Sequence, residues 1–123
     1  MNQKLKAKWV AALRSGEYMQ GAGRLKIVDG TRVTHCCLGV LCEVMGVKIE
    51  MRSSYSHLSE STHQRLDDFM TRNPQHATKS LPHDPLSYPQ ENQLTRMNDG
   101  SSTTTPVRKH SFLEIADWIE ENL

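Results

Sequence analysis

Aromatic side chains are scarce in this sequence: two Trp, three Tyr and two Phe in 123 residues, with 37% of the chain hydrophobic. A core built from so few large apolar groups must be small. Either part of the chain carries no core, or a partner supplies further burial, and a homodimer is one way to do so. Charge of one sign is also lacking, since fifteen Lys and Arg stand against fourteen Asp and Glu for a net charge of +1. That excludes the basic surplus needed to neutralise many phosphates and disfavours nucleic acid as a partner. No apolar run approaches the roughly eighteen residues of a membrane span. The first eighteen residues, MNQKLKAKWVAALRSGEY, alternate charged with apolar positions and offer no continuous core for a signal peptide. Three cysteines, an odd number, cannot close a disulfide framework, so reduced thiols and a cytoplasmic location are expected. The length fits one domain over residues 1–123.

What is present reads as an α+β chain. Leu5, Trp9, Ala12 and Leu13 form one helical stripe, with Gly16 as its stop. GRLKIVDGTRVTHC then reads as a hairpin about Asp29-Gly30. A three-residue loop, Val28-Asp29-Gly30, pairs Ile27 with Thr31 and Leu25 with Val33. It gathers Leu25, Ile27, Val33 and His35 inward and leaves Arg24, Lys26, Arg32 and Thr34 outward as a basic face. This segregation is cleaner than that of a two-residue turn, because a one-residue slip reverses every side chain. It also places Cys36 outward.

Residues 37–45, CLGVLCEVM, carry one charge and are expected to form a buried helix stopped by Gly46, with Gly39 letting a neighbouring backbone approach. VKIEM, Val47 to Met51, alternates as a short third strand. Ser59 is positioned to cap a helix whose stripe is Leu66, Phe69 and Met70 and which ends near Asn73-Pro74. Residues 74–93 and 100–110 lack periodicity and are expected to be irregular, flexible loops flanking a helical turn or two at LTRMND. Ser111 and Glu114 form a capping box for a last helix whose stripe is Phe112, Ile115, Ala116 and Ile119. Its Glu120 and Glu121 sit at the unfavourable end of the helix dipole and call for a basic neighbour, for which the Lys-rich first helix is available. The expected architecture is an N-terminal helix, a hairpin, a buried short helix and a short strand, with the C-terminal helices packed on a small antiparallel sheet.

HCCLGVLC, residues 35–42, concentrates three thiols and an imidazole. Adjacent Cys36 and Cys37, with Cys42 five positions on, do not match the recurring zinc spacings, so no metal is expected. A thiolate at a helix N-terminus with His35 as base would suit a nucleophile, and Cys36 or Cys37 would then serve a cysteine-dependent enzyme. No Asn or Asp that could orient the histidine lies nearby. The preferred reading makes Cys37 and Cys42 small core hydrophobes, His35 a packed histidine bonded to backbone, and Cys36 the one accessible thiol. No catalytic residue and no cofactor are assigned.

Three stretches together resemble a group of small proteins of tailed bacteriophages and prophages: KWVAALRSGEYMQGAGRL, HCCLGVLCEVMG, and LTRMNDG followed by SFLEIADWIEENL. The resemblance covers both ends and the hairpin, about half of the chain. Residues 52–93 lie outside it, and the connector from Gly100 to His110 is longer than the group's pattern. It implies a phage-encoded, non-enzymatic accessory protein that binds a host protein or a small anionic ligand in the bacterial cytoplasm, countering a bacterial defence. Arg24, Cys36, Asn98 and Asp99 are the expected partner- or ligand-binding residues. Turn chemistry is the preferred account of the polarity of Asn98-Asp99-Gly100, since such side chains bend a chain by bonding to its own backbone. A DNA-binding last helix is disfavoured by Glu114, Asp117, Glu120 and Glu121, which phosphate would repel.

Overall fold

A computed structural model describes residues 1–49, 51–53, 75–77, 86–100 and 108–123. Asn2 opens the first helix by accepting the amides of Lys4 and Leu5 on its side chain, and α1 runs over Gln3–Arg14. Then come β1 (Met19–Gln20), β2 (Lys26–Asp29), β3 (Arg32–His35) and α2 (Cys37–Met45). Two further strands, β4 (Met51–Ser53) and β5 (Gln75–Ala77), precede α3 (Tyr88–Asp99) and α4 (Phe112–Asn122). The class is α+β. The described strands form one sheet in the order β1-β3-β2-β5-β4, antiparallel throughout except where β1 runs parallel to β3 at one edge.

The hairpin takes neither register considered from the sequence. Lys26 faces His35, Ile27 faces Thr34, Val28 faces Val33 and Asp29 faces Arg32, so the turn is Gly30-Thr31. Gly30 takes φ 63° and no described non-glycine residue, Thr31 included, has positive φ, which is the dihedral pattern of a turn with glycine at its first central position. Relative to the expected pairing the strands are shifted by three residues. An odd shift exchanges the faces of one strand against the other. Val33, expected inward, is therefore exposed, and Thr34, expected outward, is buried. Lys26 and Arg32 fall on opposite faces, which breaks the expected basic patch. Contact with α2 holds this register: the Cys36 amide donates to the Leu25 carbonyl at 3.2 Å, and a Cβ at Gly39 would stand 1.8 Å from that same oxygen. The close approach foreseen at Gly39 is thus the seam between hairpin and helix.

The core is mainly a helix–helix one. Trp9, Leu41, Leu94, Ile115 and Ile119 are fully buried, with Val10, Leu13, Val40 and Phe112 around them. Burying each such side chain contributes about 1.5–3 kcal/mol. The principal neighbours of α1 are α4 and α2; α3 packs on α2 and α4, and the sheet joins through β3. The C-terminal helices thus lie chiefly on other helices, where packing on the sheet was expected. The α4 stripe is buried as its spacing indicates, because residues three and four apart share one helix face.

Helix ends follow local chemistry. Gly46, at φ 71°, closes α2, with its amide bonded to the Glu43 carbonyl and the Val47 amide to that of Cys42. Both bonds belong to the glycine-terminated helix stop and satisfy two carbonyls otherwise left open. Ser111 and Glu114 form the reciprocal capping box of α4, and Ser87 and Gln90 form another on α3. Arg14 binds both Glu120 and Asp117, supplying the basic neighbour that Glu120 requires. The strand expected over residues 47–51 begins only at Met51. The stretch 74–93, expected to be irregular, holds β5 and the first half of α3, and LTRMND is the second half of α3. The helix proposed after Ser59 lies outside the described residues.

Candidate functional site

The start of α2 is where the chemistry-bearing residues converge. A helix N-terminus leaves amides without intrahelical acceptors, and here the N-cap itself and one residue distant in sequence supply acceptors. Cys36 is the N-cap, its sulfur accepting the Gly39 amide at 3.4 Å. Asn98, at the end of α3, accepts the Cys37 amide on Oδ1 at 3.1 Å. The same oxygen accepts Gln20 Nε2 at 3.2 Å, while Asn98 Nδ2 donates to the Gly21 carbonyl at 2.8 Å and to Asp99 Oδ1 at 2.7 Å. Gln20 also donates to the His110 carbonyl at 2.8 Å, and the His110 amide donates to the Met97 carbonyl at 2.6 Å. From the other side, Trp9 Nε1 donates to the Cys37 carbonyl at 2.9 Å. Asn98 is wholly buried, so this side chain ties the end of β1, the start of α2 and the end of α3 together from within.

Of the four residues marked from the sequence, Cys36, Asn98 and Asp99 share this locus, the Asp99 carboxylate acting on both Cys36 and Cys37. Arg24 stands apart, exposed in the bend before β2. Cys36 is buried where an outward thiol was expected, because capping α2 turns its sulfur onto the Gly39 amide. Burial pushes the Cys36 and Cys42 thiols up to about 11 and Cys37 well above its ordinary range. The Cys37 thiol donates to the Leu94 carbonyl at 3.6 Å. These are protonated, packed groups at neutral pH, unlike the exposed, electropositive setting that activates a nucleophilic cysteine.

Sequence reasoning placed His35 inside but bonded to backbone. It is buried, yet neither ring nitrogen has a hydrogen-bond partner among the described residues. The ring meets Tyr18 edge-on, with centroids 5.1 Å apart, and Nε2 lies 3.6 Å from Glu43 Oε1, beyond hydrogen-bond reach. Lys26 Nζ is 3.7 Å from the same carboxylate oxygen. Burial lowers the pKa of His35; the carboxylate of Glu43 opposes this and the ammonium of Lys26 assists it. Only the tertiary pairing of β2, β3 and α2 assembles this cluster, so no local sequence signal announces it.

Among the described residues no group of three or more His, Cys, Asp or Glu is arranged to hold a metal ion. No described helix is long and apolar enough to cross a membrane. A shallow groove of about 690 Å³ runs between α1 and α4, lined among others by Val10, Ala7, Ala11 and Lys6.

Compared with known proteins, the profile of a domain of unknown function, DUF8296, matches residues 1–123. No curated protein and no solved structure matches the chain.

Proposed function

The chain belongs to the DUF8296 family, and from that premise we propose that it is a phage-encoded accessory protein working by binding, not catalysis. Its partner is a host protein in the bacterial cytoplasm, and binding counters a defence of the host. The lifestyle part of this reading rests on the resemblance of its terminal and hairpin stretches to small phage proteins. The binding part rests on one observation: the three thiols and the Asn98 amide are used by the fold. All three thiols are buried and held protonated, and the amide of Asn98 is bonded on both sides. What is left for function is surface.

A small anion is the second form of the reading, since Arg24 and Arg32 remain exposed. A binding experiment separates the two. Tagged protein is used to capture partners from bacterial lysate, and its melting temperature is followed with phosphate and nucleotides. A ligand at about 100 times its dissociation constant adds about 2.7 kcal/mol to stability. Capture of one host protein, lost on substituting exposed residues, supports the protein partner, whereas a shift with anions that Arg24→Ala removes supports the ligand. Absence of both, or thiol-dependent turnover of any substrate, refutes the proposal.

A further inference from the structure

We propose that the outer face formed by α1 and α4 is a self-complementary interface on which a second copy of this chain docks. The two helices pack side by side and carry opposite charge. Every charged residue of α1 is basic, Lys4, Lys6, Lys8 and Arg14, whereas α4 carries Glu114, Asp117, Glu120 and Glu121 and no base. Arg14 is engaged internally by Glu120 and Asp117, and Lys6 by the Glu120 carbonyl. Lys4, Lys8 and Glu121 are exposed and make no ion pair with any described residue. Asp117 keeps 69% of its side chain in solvent and offers a second oxygen.

Spacing selects the geometry. Lys4 and Lys8 lie four residues apart on one helix, as do Asp117 and Glu121 on the other, so each pair shares a helix face. Running α1 of one copy antiparallel to α4 of the next sets Lys4 against Glu121 and Lys8 against Asp117. The same register brings Leu113, 59% exposed, opposite Ala11 and Ala12, where small side chains leave room for it. A two-fold axis repeats every contact, giving four ion pairs and two buried leucines from one patch, as an isologous dimer requires. The scarce aromatic content, which leaves the monomer a small core, is consistent with burial gained this way. The occupant is a second copy because the face carries both halves of the match. This interface is independent of the host-partner reading above.

Sedimentation of the full chain tests it. At about 0.1 mM protein and low salt the wild type should sediment with twice the monomer mass. Raising salt to about 1 M, where the screening length falls to about 3 Å, should weaken association by about tenfold or more. The Lys4→Glu/Lys8→Glu variant and the Asp117→Lys/Glu121→Lys variant should each be monomeric, and an equimolar mixture should recover a dimer containing one of each. All four positions are on the surface, and circular dichroism checks that each variant folds. Leu113→Glu supplies a break independent of the charge swaps. A wild-type monomer under these conditions overturns the proposal. So does a dimer indifferent to the charge swaps, or a mixture that stays monomeric.

Discussion

Asn98 reaches across 61 positions of sequence to accept the Cys37 amide at 3.1 Å, so the first turn of α2 is closed by a residue from another helix. The bond is buried and its partner oxygen is shared with Gln20. Removing that side chain takes the partner from a buried amide and from a part-buried carbonyl. Asn98→Ala leaves the Cys37 amide and the Gly21 carbonyl without partners, at about 1–3 kcal/mol each. A loss of about 2–5 kcal/mol in urea unfolding is expected. Asn98→Asp keeps the acceptor but cannot donate to Gly21 and faces Asp99, so it should also destabilise, and less so in acid. Wild-type stability in either variant would contradict the assigned hub.

Gly39 has no room for a side chain. Its Cβ would stand 1.8 Å from the Leu25 oxygen and 2.7 Å from the Leu25 carbonyl carbon, both backbone atoms. Gly39→Ala must separate the hairpin from α2, and a cost of about 3 kcal/mol or more is expected, at the upper end of overpacking. Loss of hydrogen-exchange protection at the Cys36 amide, bonded to Leu25, reports the same separation locally.

The thiols should be silent in the native state. With Cys36 pushed up to about 11, about one molecule in a thousand carries its thiolate at pH 8. Labelling by a disulfide reagent should therefore follow unfolding, all three sites reacting together in denaturant. Rapid native labelling of one cysteine below pH 8 would revive the enzymatic reading.

Acid should act in two stages. His35 has a lowered folded-state pKa, so the unfolded chain binds its proton more readily below the ordinary value of 6.5. The stability involved is present above that value and is lost as pH falls through the window beneath it. Glu114 and Glu120 are held below the ordinary carboxylate value by Arg108 and Arg14, with Glu114 near 2. Their contribution is present above 4.5 and is lost as pH falls through their folded-state values, toward about 2 for Glu114. Thermal melts from pH 7 to 5 should therefore decline for the wild type. His35→Gln should flatten that decline while leaving the stage below pH 4.5 intact.

Legibility from sequence followed locality. The capping box at Ser111, the α4 stripe, the Gly46 stop and the helix over residues 37–45 each depend on side chains within a few positions, and each is found as read. The hairpin register failed because Asp29-Gly30 is a strong local turn signal, whereas the α2 contact with Leu25 and the choice of Gly30-Thr31 are decided by packing. Cys36 was placed outward by strand alternation, but leaving the strand for a cap breaks that alternation. Asn98 read more readily as turn chemistry because its partners, Gln20, Gly21 and Cys37, are remote in sequence. The parallel pairing of β1 with β3 involves two residues a side, too few for any period to show.

The remote cap also sets a timetable for the newborn chain. At about 5–20 residues per second, the 61 positions between Cys37 and Asn98 take about 3–12 s to synthesise. Throughout that interval the sulfur-rich helix has begun without the residue that completes it. A released chain that ends before residue 98 should therefore be a far easier target for a protease than the full chain.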